Sequence, residues 1–421
     1  MKFFDLKLKN NINKFLYDCE FYRQELNINL IASENYSSQN VLLQQSSCFT
    51  NKYSEGYYKN RYYGGCKYVD EVEFLAIERV KRLFNVSFAN VQPHSGSQAN
   101  LASLFSLCSF GDVILCMRLD HGGHLSHGAK INFSGKIYYP IFYGVNHLTG
   151  LIDYDEVKYL ALKYNPKVIV AGGSSYSRIV NWKMFKIISD MVGAYLLADI
   201  SHVSGLIIAG LYPSPVNYAD VITTTTHKTL RGPRGGVILT NNYDLKKKID
   251  SCLFPGVQGG SLVNVILAKS SSFEEAMSYE FIVYQKQVLK NSRFFVKCMI
   301  DNGFIVPSGG TDSHLFLLNL KNRNFSGKYF EFLFEKVNII LNKNNISNDY
   351  CLSNISSGVR IGTSAITSRG FKESEIFYLS NLMNELFLLG DSLNYKILLY
   401  KIKIKVLDLC INFPIYDYSE F

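Results

Sequence analysis

Four consecutive threonines run into a histidine and a lysine, Thr223-Thr224-Thr225-Thr226-His227-Lys228, followed by Arg231-Gly232-Pro233-Arg234-Gly235-Gly236. β-Branched residues suit an extended strand, so Lys228 is presented at a strand end. Desolvation and the nearby cation Arg234 would both lower the lysine pKa and make it an amine nucleophile. The chain holds 44 Lys+Arg, and a loop lysine is ordinarily solvated. The assignment therefore depends on partner groups elsewhere.

Candidate partners exist. Asp199 ends the apolar run Tyr195-Leu196-Leu197-Ala198. An acid beyond the carboxyl end of a parallel strand can pair with a cationic ring nitrogen, although taken alone it reads first as a helix cap. Ser95-Gly96-Ser97 opens a helix, and helix N-termini with close backbone approach capture anions. An ordinary capping turn has the same composition, and the Gly-Lys-Ser/Thr ending of a P-loop is missing. His121, His124 and His127 are spaced three and three. That is not the H-E-x-x-H spacing, and Gly122-Gly123 oppose a helix, so no metal site is expected. A histidine stacked on a flat ligand suits the run better. An amine nucleophile, a strand-end acid, a phosphate cradle and a stacking histidine together describe a pyridoxal phosphate site.

Several elements must position these groups. Val72, Leu75, Ala76, Val80 and Leu83 recur at helical spacing and predict a helix over Asp70–Phe84. A second helix is expected over Leu101–Cys108 and a third over Trp182–Val192. Strands are expected over Asp112–Cys116, Lys167–Val170, Ala194–Ile200, Val221–Thr226 and Gly236–Thr240. This alternation predicts an α/β fold with a mostly parallel sheet. The first 60 residues read as polar and irregular, with one helix-like stretch near Leu8–Glu25. After about residue 280 the pattern changes to strand-like His314–Leu320 and Val337–Leu341 among helical stretches such as Glu373–Leu388. The expected division is 1–280, an N-terminal arm with the large domain, and 281–421, a smaller C-terminal domain. At 421 residues with 47% hydrophobic content there is ample material for a buried core.

The net charge of +9 favours anionic ligands and weak nonspecific nucleic-acid attraction. No nucleic-acid motif accompanies it, so no nucleic-acid partner is expected. The nine cysteines are scattered without a C-x-x-C pair, which fits reduced thiols in a cytoplasmic setting. The N-terminus lacks the apolar core of a signal peptide, and no apolar run approaches the ~20 residues of a membrane span. No membrane partner is expected.

Longer stretches then identify a family. Leu30-Ile31-Ala32-Ser33-Glu34-Asn35-Tyr36, Asn51-Lys52-Tyr53-Ser54-Glu55-Gly56-Tyr57 and Arg61-Tyr62-Tyr63-Gly64-Gly65 come first. Val91–Asn100, the triple-histidine run and Thr223–Lys228 follow. Phe254-Pro255-Gly256-Val257-Gln258-Gly259-Gly260 and Ser357-Gly358-Val359-Arg360-Ile361-Gly362-Thr363 complete the set. With these motifs in this order, the chain resembles the serine hydroxymethyltransferases along nearly its whole length. The resemblance implies an aspartate-aminotransferase-like (fold-type I) large domain and a smaller α+β C-terminal domain. It implies pyridoxal 5'-phosphate as cofactor and reversible conversion of L-serine and tetrahydrofolate to glycine and 5,10-methylenetetrahydrofolate.

The resemblance also implies residue roles. Catalytic work falls to Lys228, His227, Glu55 and Tyr63. Lys228 is the Schiff-base lysine, Asp199 pairs with the pyridinium nitrogen, and His124 stacks on the ring. Gly96 and Ser97 hold the phosphate with Gly260 of a neighbouring subunit. Ser174 and His202 contact the ring hydroxyl region, and Tyr53 also touches the cofactor. Arg360 clamps the substrate carboxylate, assisted by Ser33 and Tyr53; its alternative is a surface ion pair. Glu55 and Tyr63 come from the partner chain of a homodimer with shared sites. Leu119, Gly123, Leu125 and Asn344 contact the folate. Without the resemblance, the tyrosines around Glu55 would pass for a generic aromatic surface. Three positions depart from the family pattern: Ser261 and Ser364 replace proline, and Asn264 replaces histidine. A folate-independent aldolase on the same fold and a cofactor-binding protein without turnover are the competing expectations.

Overall fold

A computed structural model describes residues 12–323, 325–347, 355–388 and 395–416. Its centre is a seven-stranded sheet. In spatial order the strands are Phe88–Asn90, Gly236–Thr240, Val221–Thr225, Tyr195–Asp199, Val168–Ala171, Val113–Met117 and Tyr139–Tyr143. The last five are mutually parallel. Gly236–Thr240 runs antiparallel to both of its neighbours. The expected mostly parallel α/β sheet is present.

The strand sequences explain why the sheet is covered on both faces. Val168–Ala171 and Val221–Thr225 are buried at every position, as a parallel sheet between helix layers requires. The pleat then divides the apolar residues. Leu115, Met117, Ile169, Ala171, Leu196, Ala198, Ile222 and Val237 join one core. Ile114, Cys116, Val168, Val170, Leu197, Val221 and Ile238 join another on the opposite face, with helix Gly96–Leu107.

The expected strands and helices lie within a residue or two of the observed ones, with instructive differences. The helix expected from Leu101 starts at Gly96, because Ser95 accepts the Gln98 amide and caps it. Helix Lys67–Phe84 begins three residues before the expected Asp70. Strands Phe88–Asn90 and Tyr139–Tyr143 were not expected; the second carries Pro140, which is tolerated because the strand is an edge. The N-terminal helix is described from Ile12 to Glu25, and residues 8–11 of the expected stretch lie outside the described residues. The expected strand Val337–Leu341 contracts to Ile339–Ile340.

That short strand pairs in parallel with Ile28–Asn29. Ile28 and Leu30 thereby enter a third core with Phe316, Phe330, Val359, Ile361 and Leu379. The long helix Tyr279–Asp301 bridges the cores, with Phe281 and Leu289 in the first and Phe295, Val296 and Met299 in the third. A three-stranded antiparallel sheet has Gly358–Gly362 between Leu315–Asn319 and Asn342–Asn344. Its central strand delivers Arg360 toward the large sheet, where the guanidinium meets the Ser174 carbonyl.

Two of the family departures form new contacts. The Ser261 and Ser54 hydroxyls are 3.0 Å apart, and Asn264 donates to the Gln45 carbonyl at 2.8 Å. Ser364 differs: its hydroxyl is buried with no hydrogen-bond partner. A buried unpaired hydroxyl costs free energy that a methyl group does not. Ser364→Ala should therefore stabilise the fold by about 1 kcal/mol, read as a higher denaturation midpoint at unchanged m-value. A lower midpoint would show that Ser364 has a partner in solution.

Candidate active site

A cavity of about 330 Å³ opens beyond the carboxyl ends of the parallel strands, where ligands bind in open α/β sheets. Its walls include Ser33, Gly96, Ser97, His124, Ser174, Asp199, His202, His227, Lys228 and Arg360. Ten of the residues singled out from the sequence are thus brought together.

Asp199 ends its strand with only 9% of its surface exposed. Four donors hold its carboxylate. Oδ1 accepts from the Ser201 amide at 3.1 Å and the Ser201 hydroxyl at 2.6 Å. Oδ2 accepts from Asn100 Nδ2 and His127 Nε2, both at 2.9 Å. Burial alone would favour the neutral acid, but the His127 hydrogen bond and the surrounding positive groups reverse it and hold the carboxyl far below its usual range. The charge propagates order outward. Asn100 also donates to Ser126 Oγ at 2.8 Å and accepts from Thr223 Oγ1 at 2.6 Å. Ser126 Oγ in turn lies 2.7 Å from His124 Nδ1. The Ser126 amide, which can only donate, also points at that nitrogen at 3.2 Å. His124 Nδ1 is therefore bare and the ring hydrogen sits on Nε2. Burial pulls the His124 pKa to about 4, so the ring is neutral and able to stack.

His202 is fixed from the other side. His314 Nε2 is 3.0 Å from the Ala32 carbonyl, an acceptor, so that nitrogen carries the hydrogen. His202 Nδ1 lies 3.3 Å from the same nitrogen and serves as an acceptor. This leaves Nε2–H as the donor His202 can offer. Burial holds His202 well below its ordinary pKa and His227 at about 3. His124, His202 and His227 are thus neutral, and Lys228, Arg234 and Arg360 bring positive charge to the cavity.

Lys228 follows the Val221–Thr225 strand and is 7% exposed. Burial lowers its pKa to about 8; Asp199 opposes the shift, while Arg360 and Arg234 add to it. Asn35 Nδ2 donates to the Lys228 carbonyl at 2.8 Å, so the segment that carries Ser33 and Glu34 also pins the lysine backbone. Arg360 Nη1 donates to the Ser174 carbonyl at 2.7 Å, and its Nε to Asn342 Oδ1 at 3.3 Å. Three guanidinium hydrogens remain, enough for a carboxylate. Lys228, Arg234 and Arg360 face Asp199 and Glu34 across the cavity, leaving a surplus of positive charge. The amine, the ionised acid, the neutral stacking ring and the free helix N-terminus at Gly96–Ser97 all fit a flat, phosphorylated aldehyde cofactor.

The remaining sequence candidates lie outside this cavity. Tyr53 donates to Glu55 at 3.2 Å and packs edge-on against Tyr63 with ring centroids 5.1 Å apart. Gly260 abuts the Tyr53 ring. These residues form a separate cluster, anchored by Arg61, whose Nη1 donates to the Gly56 carbonyl at 2.7 Å. Leu119 and Leu125 line a second cleft of about 420 Å³ that shares His124 and His127 with the cavity. Gly123 is buried behind it, where a side chain would strike the Met117 carbonyl. Asn344 lines neither space; its side chain donates to the Asn345 carbonyl at 2.7 Å. The triple-histidine run separates by partner: His121 accepts the Val145 amide at 3.0 Å, His124 meets Ser126 and His127 meets Asp199.

Sequence reasoning assigned no role to Asn100, Ser126, Ser201 or His314. A polar asparagine on the apolar face of helix Gly96–Leu107 was the available signal for Asn100.

The family model for serine hydroxymethyltransferase matches residues 6–383. A protein of that name from Wigglesworthia glossinidia brevipalpis is 54% identical over 417 residues, covering 99% of this chain and 97% of its own. One from Teredinibacter turnerae is 53% identical over 398 residues, covering 94% of each chain. One from Acinetobacter baylyi is 51% identical over 415 residues, covering 98% of each. With the amine, acid and anion cradle converging in one cavity and identity of this extent, the chain belongs to the serine hydroxymethyltransferase family.

Proposed function

We propose that this chain performs its family's reaction at the cavity around Lys228. L-Serine and tetrahydrofolate are interconverted there with glycine and 5,10-methylenetetrahydrofolate, with pyridoxal 5'-phosphate as cofactor. The observation that carries this reading is the buried Lys228 amine, pulled down to about 8, in one cavity with an Asp199 carboxylate held ionised. Bound there, the cofactor supplies an electron sink for the negative charge left at the glycine carbon.

The chain's own residues do the rest. Lys228 supplies the neutral amine that attaches the cofactor. Asp199 balances the positive charge of the ring nitrogen, and His124 lies against the ring face. Gly96 and Ser97, at the helix N-terminus, receive the phosphate. His202 and Ser174 attend the ring oxygen. Arg360, backed by the Ser174 carbonyl, binds the substrate carboxylate with Ser33. His227, neutral and next to Lys228 in the chain, lines the same cavity.

Tyr53, Glu55, Tyr63 and Gly260 complete the site only if a second copy contributes them, so the working unit is a homodimer with shared sites. Their separation from this cavity within one chain supports that reading. Glu55 then moves protons at the serine hydroxymethyl group. The cleft lined by Leu119 and Leu125 receives the folate, and Gly123 and Asn344 shape its approach. All described cysteines are free thiols, and no described helix is long and apolar enough to cross a membrane. Both observations suit a cytoplasmic enzyme, and no nucleic-acid or membrane role is assigned.

Four outcomes test this assignment. In the cofactor-free protein, Lys228 carries its proton below about pH 8 and loses it above. Reductive trapping of a small aldehyde at Lys228, followed by peptide mass spectrometry, should therefore rise through about pH 8. Ordinary lysines should respond more than a pH unit higher. Asp199→Asn should move the Lys228 midpoint down, since the carboxylate favours the charged amine. Arg360→Lys should lower kcat/KM for serine by about a hundredfold, mostly through KM, as a planar two-point contact is lost. Mixed Lys228→Ala and Glu55→Gln chains should regain part of the activity each lacks alone. No regain in mixed dimers would remove the shared site while leaving the Lys228 chemistry intact.

A further inference from the structure

The helix Val263–Ala276 carries a fully buried lysine that no step of the reaction uses. Lys269 is 1% exposed, and its ammonium donates to three backbone carbonyls: Val91 at 2.7 Å, Pro93 at 3.0 Å and Gly236 at 3.0 Å. Three acceptors match the three hydrogens of an ammonium and favour the charged form, against a burial that pulls its pKa down to about 7. No carboxylate pairs with it among the described residues. A buried charge without a counterion is expensive, and a methionine would fill the same space at lower cost. The cation is therefore held for what it does to those carbonyls.

Their positions show what that is. Val91 and Pro93 lie in the turn that leads to Ser95, the cap of helix Gly96–Leu107. Gly236 opens the strand that follows Arg234, and its amide donates to the Pro93 carbonyl at 3.0 Å. Gly235 and Gly236 leave room for the contact: a side chain at Gly235 would strike the Lys269 stem, and one at Gly236 the Ser95 carbonyl. A helix N-terminus that aims its amides at an anion must send the carbonyls of the preceding turn elsewhere. From the far side, Gln258 donates to the Gln92 carbonyl at 3.1 Å and accepts the His94 amide at 3.0 Å. The turn is held between a side-chain amide and a buried cation.

We propose that Lys269 is a positioning residue that locks the anion-cradle turn Val91–Ser95 to the Arg234–Gly236 segment, and so sets the grip on the cofactor phosphate. This rests on the reading of Gly96–Ser97 as the phosphate seat. The experiment compares two ligands of the apoenzyme, pyridoxal phosphate and pyridoxal, by equilibrium titration of intrinsic fluorescence. Wild-type protein should prefer the phosphorylated ligand. Lys269→Met should reduce that preference by about tenfold or more, with pyridoxal binding within about twofold of wild type. Lys269→Arg, which keeps the charge, should retain more of the preference than the methionine variant. An unchanged preference in folded Lys269→Met overturns the proposal, as does equal loss for both ligands. If that variant does not fold, the same ratio is read on Lys269→Gln. Failure of both to fold, even with pyridoxal phosphate present, also overturns it, because Lys269 would then be a general core residue. Wild-type apoenzyme that binds both ligands equally would instead remove the phosphate-seat reading itself.

Discussion

The site depends on one buried charge. The Asp199 carboxylate is out of water, and an isolated carboxylate there would take up a proton. It stays ionised because four donors converge on it from three parts of the chain: Asn100, His127 and the Ser201 amide and hydroxyl. Each donor is fixed in consequence. Asn100 locks the helix that carries Gly96 and Ser97, and through Ser126 it sets the His124 ring. His127 holds the loop between the two cavities. The anion seat, the ring face and the counter-charge are thus organised by one network, and removing any single donor would disturb all three.

The same charge shapes the lysine. Asp199 favours protonated Lys228, while burial, Arg360 and Arg234 disfavour it. The balance leaves an amine that titrates at about 8, within about a unit of physiological pH, where an ordinary lysine is almost wholly charged. His124, His202 and His227 do not add to the positive surplus, because burial keeps them neutral. The cavity is therefore a cationic field in which Lys228, Arg234 and Arg360 outnumber Asp199 and Glu34. That suits a ligand carrying a phosphate and a substrate carrying a carboxylate at the same time. It also explains why the N-terminal segment matters: Ala32 orients His314, Ser33 lines the cavity and Asn35 holds the Lys228 backbone.

Much of this was legible in the sequence, for physical reasons. The strands are short apolar runs between helices, and their carboxyl ends carry the chemistry, so Asp199 and Lys228 could be placed before any coordinates. The resemblance supplied Arg360, which sits on a different sheet and has no local signal. What stayed hidden was the layer that acts through other residues. Nothing in the spacing of Asn100, Ser126 and His127 says that they meet at one carboxylate, since the contacts span 26 to 99 positions. The edge strand Tyr139–Tyr143 was missed because Pro140 speaks against a strand, and an edge is where that rule relaxes. Lys269 was hidden because a lysine in an amphipathic pattern reads as solvent-facing.

The departures from the family pattern follow the same logic of partners. Proline restricts the chain before folding, and losing it costs about 0.4–1 kcal/mol of unfolded-state entropy. At Ser261 that loss is offset, because its hydroxyl meets Ser54 in a buried contact that proline could not make. The bond ties the Gly259–Gly260 loop to the segment bearing Tyr53 and Glu55. At Asn264 the amide takes a backbone carbonyl on the helix Gln39–Gln45. Only Ser364 gains nothing from its side chain, yet its carbonyl accepts from Tyr284, which also bonds Asn35. Asn35 in turn holds Lys228. The least compensated substitution therefore sits two hydrogen bonds from the Asn35 contact with the nucleophile, and the backbone, which any residue supplies, carries that link.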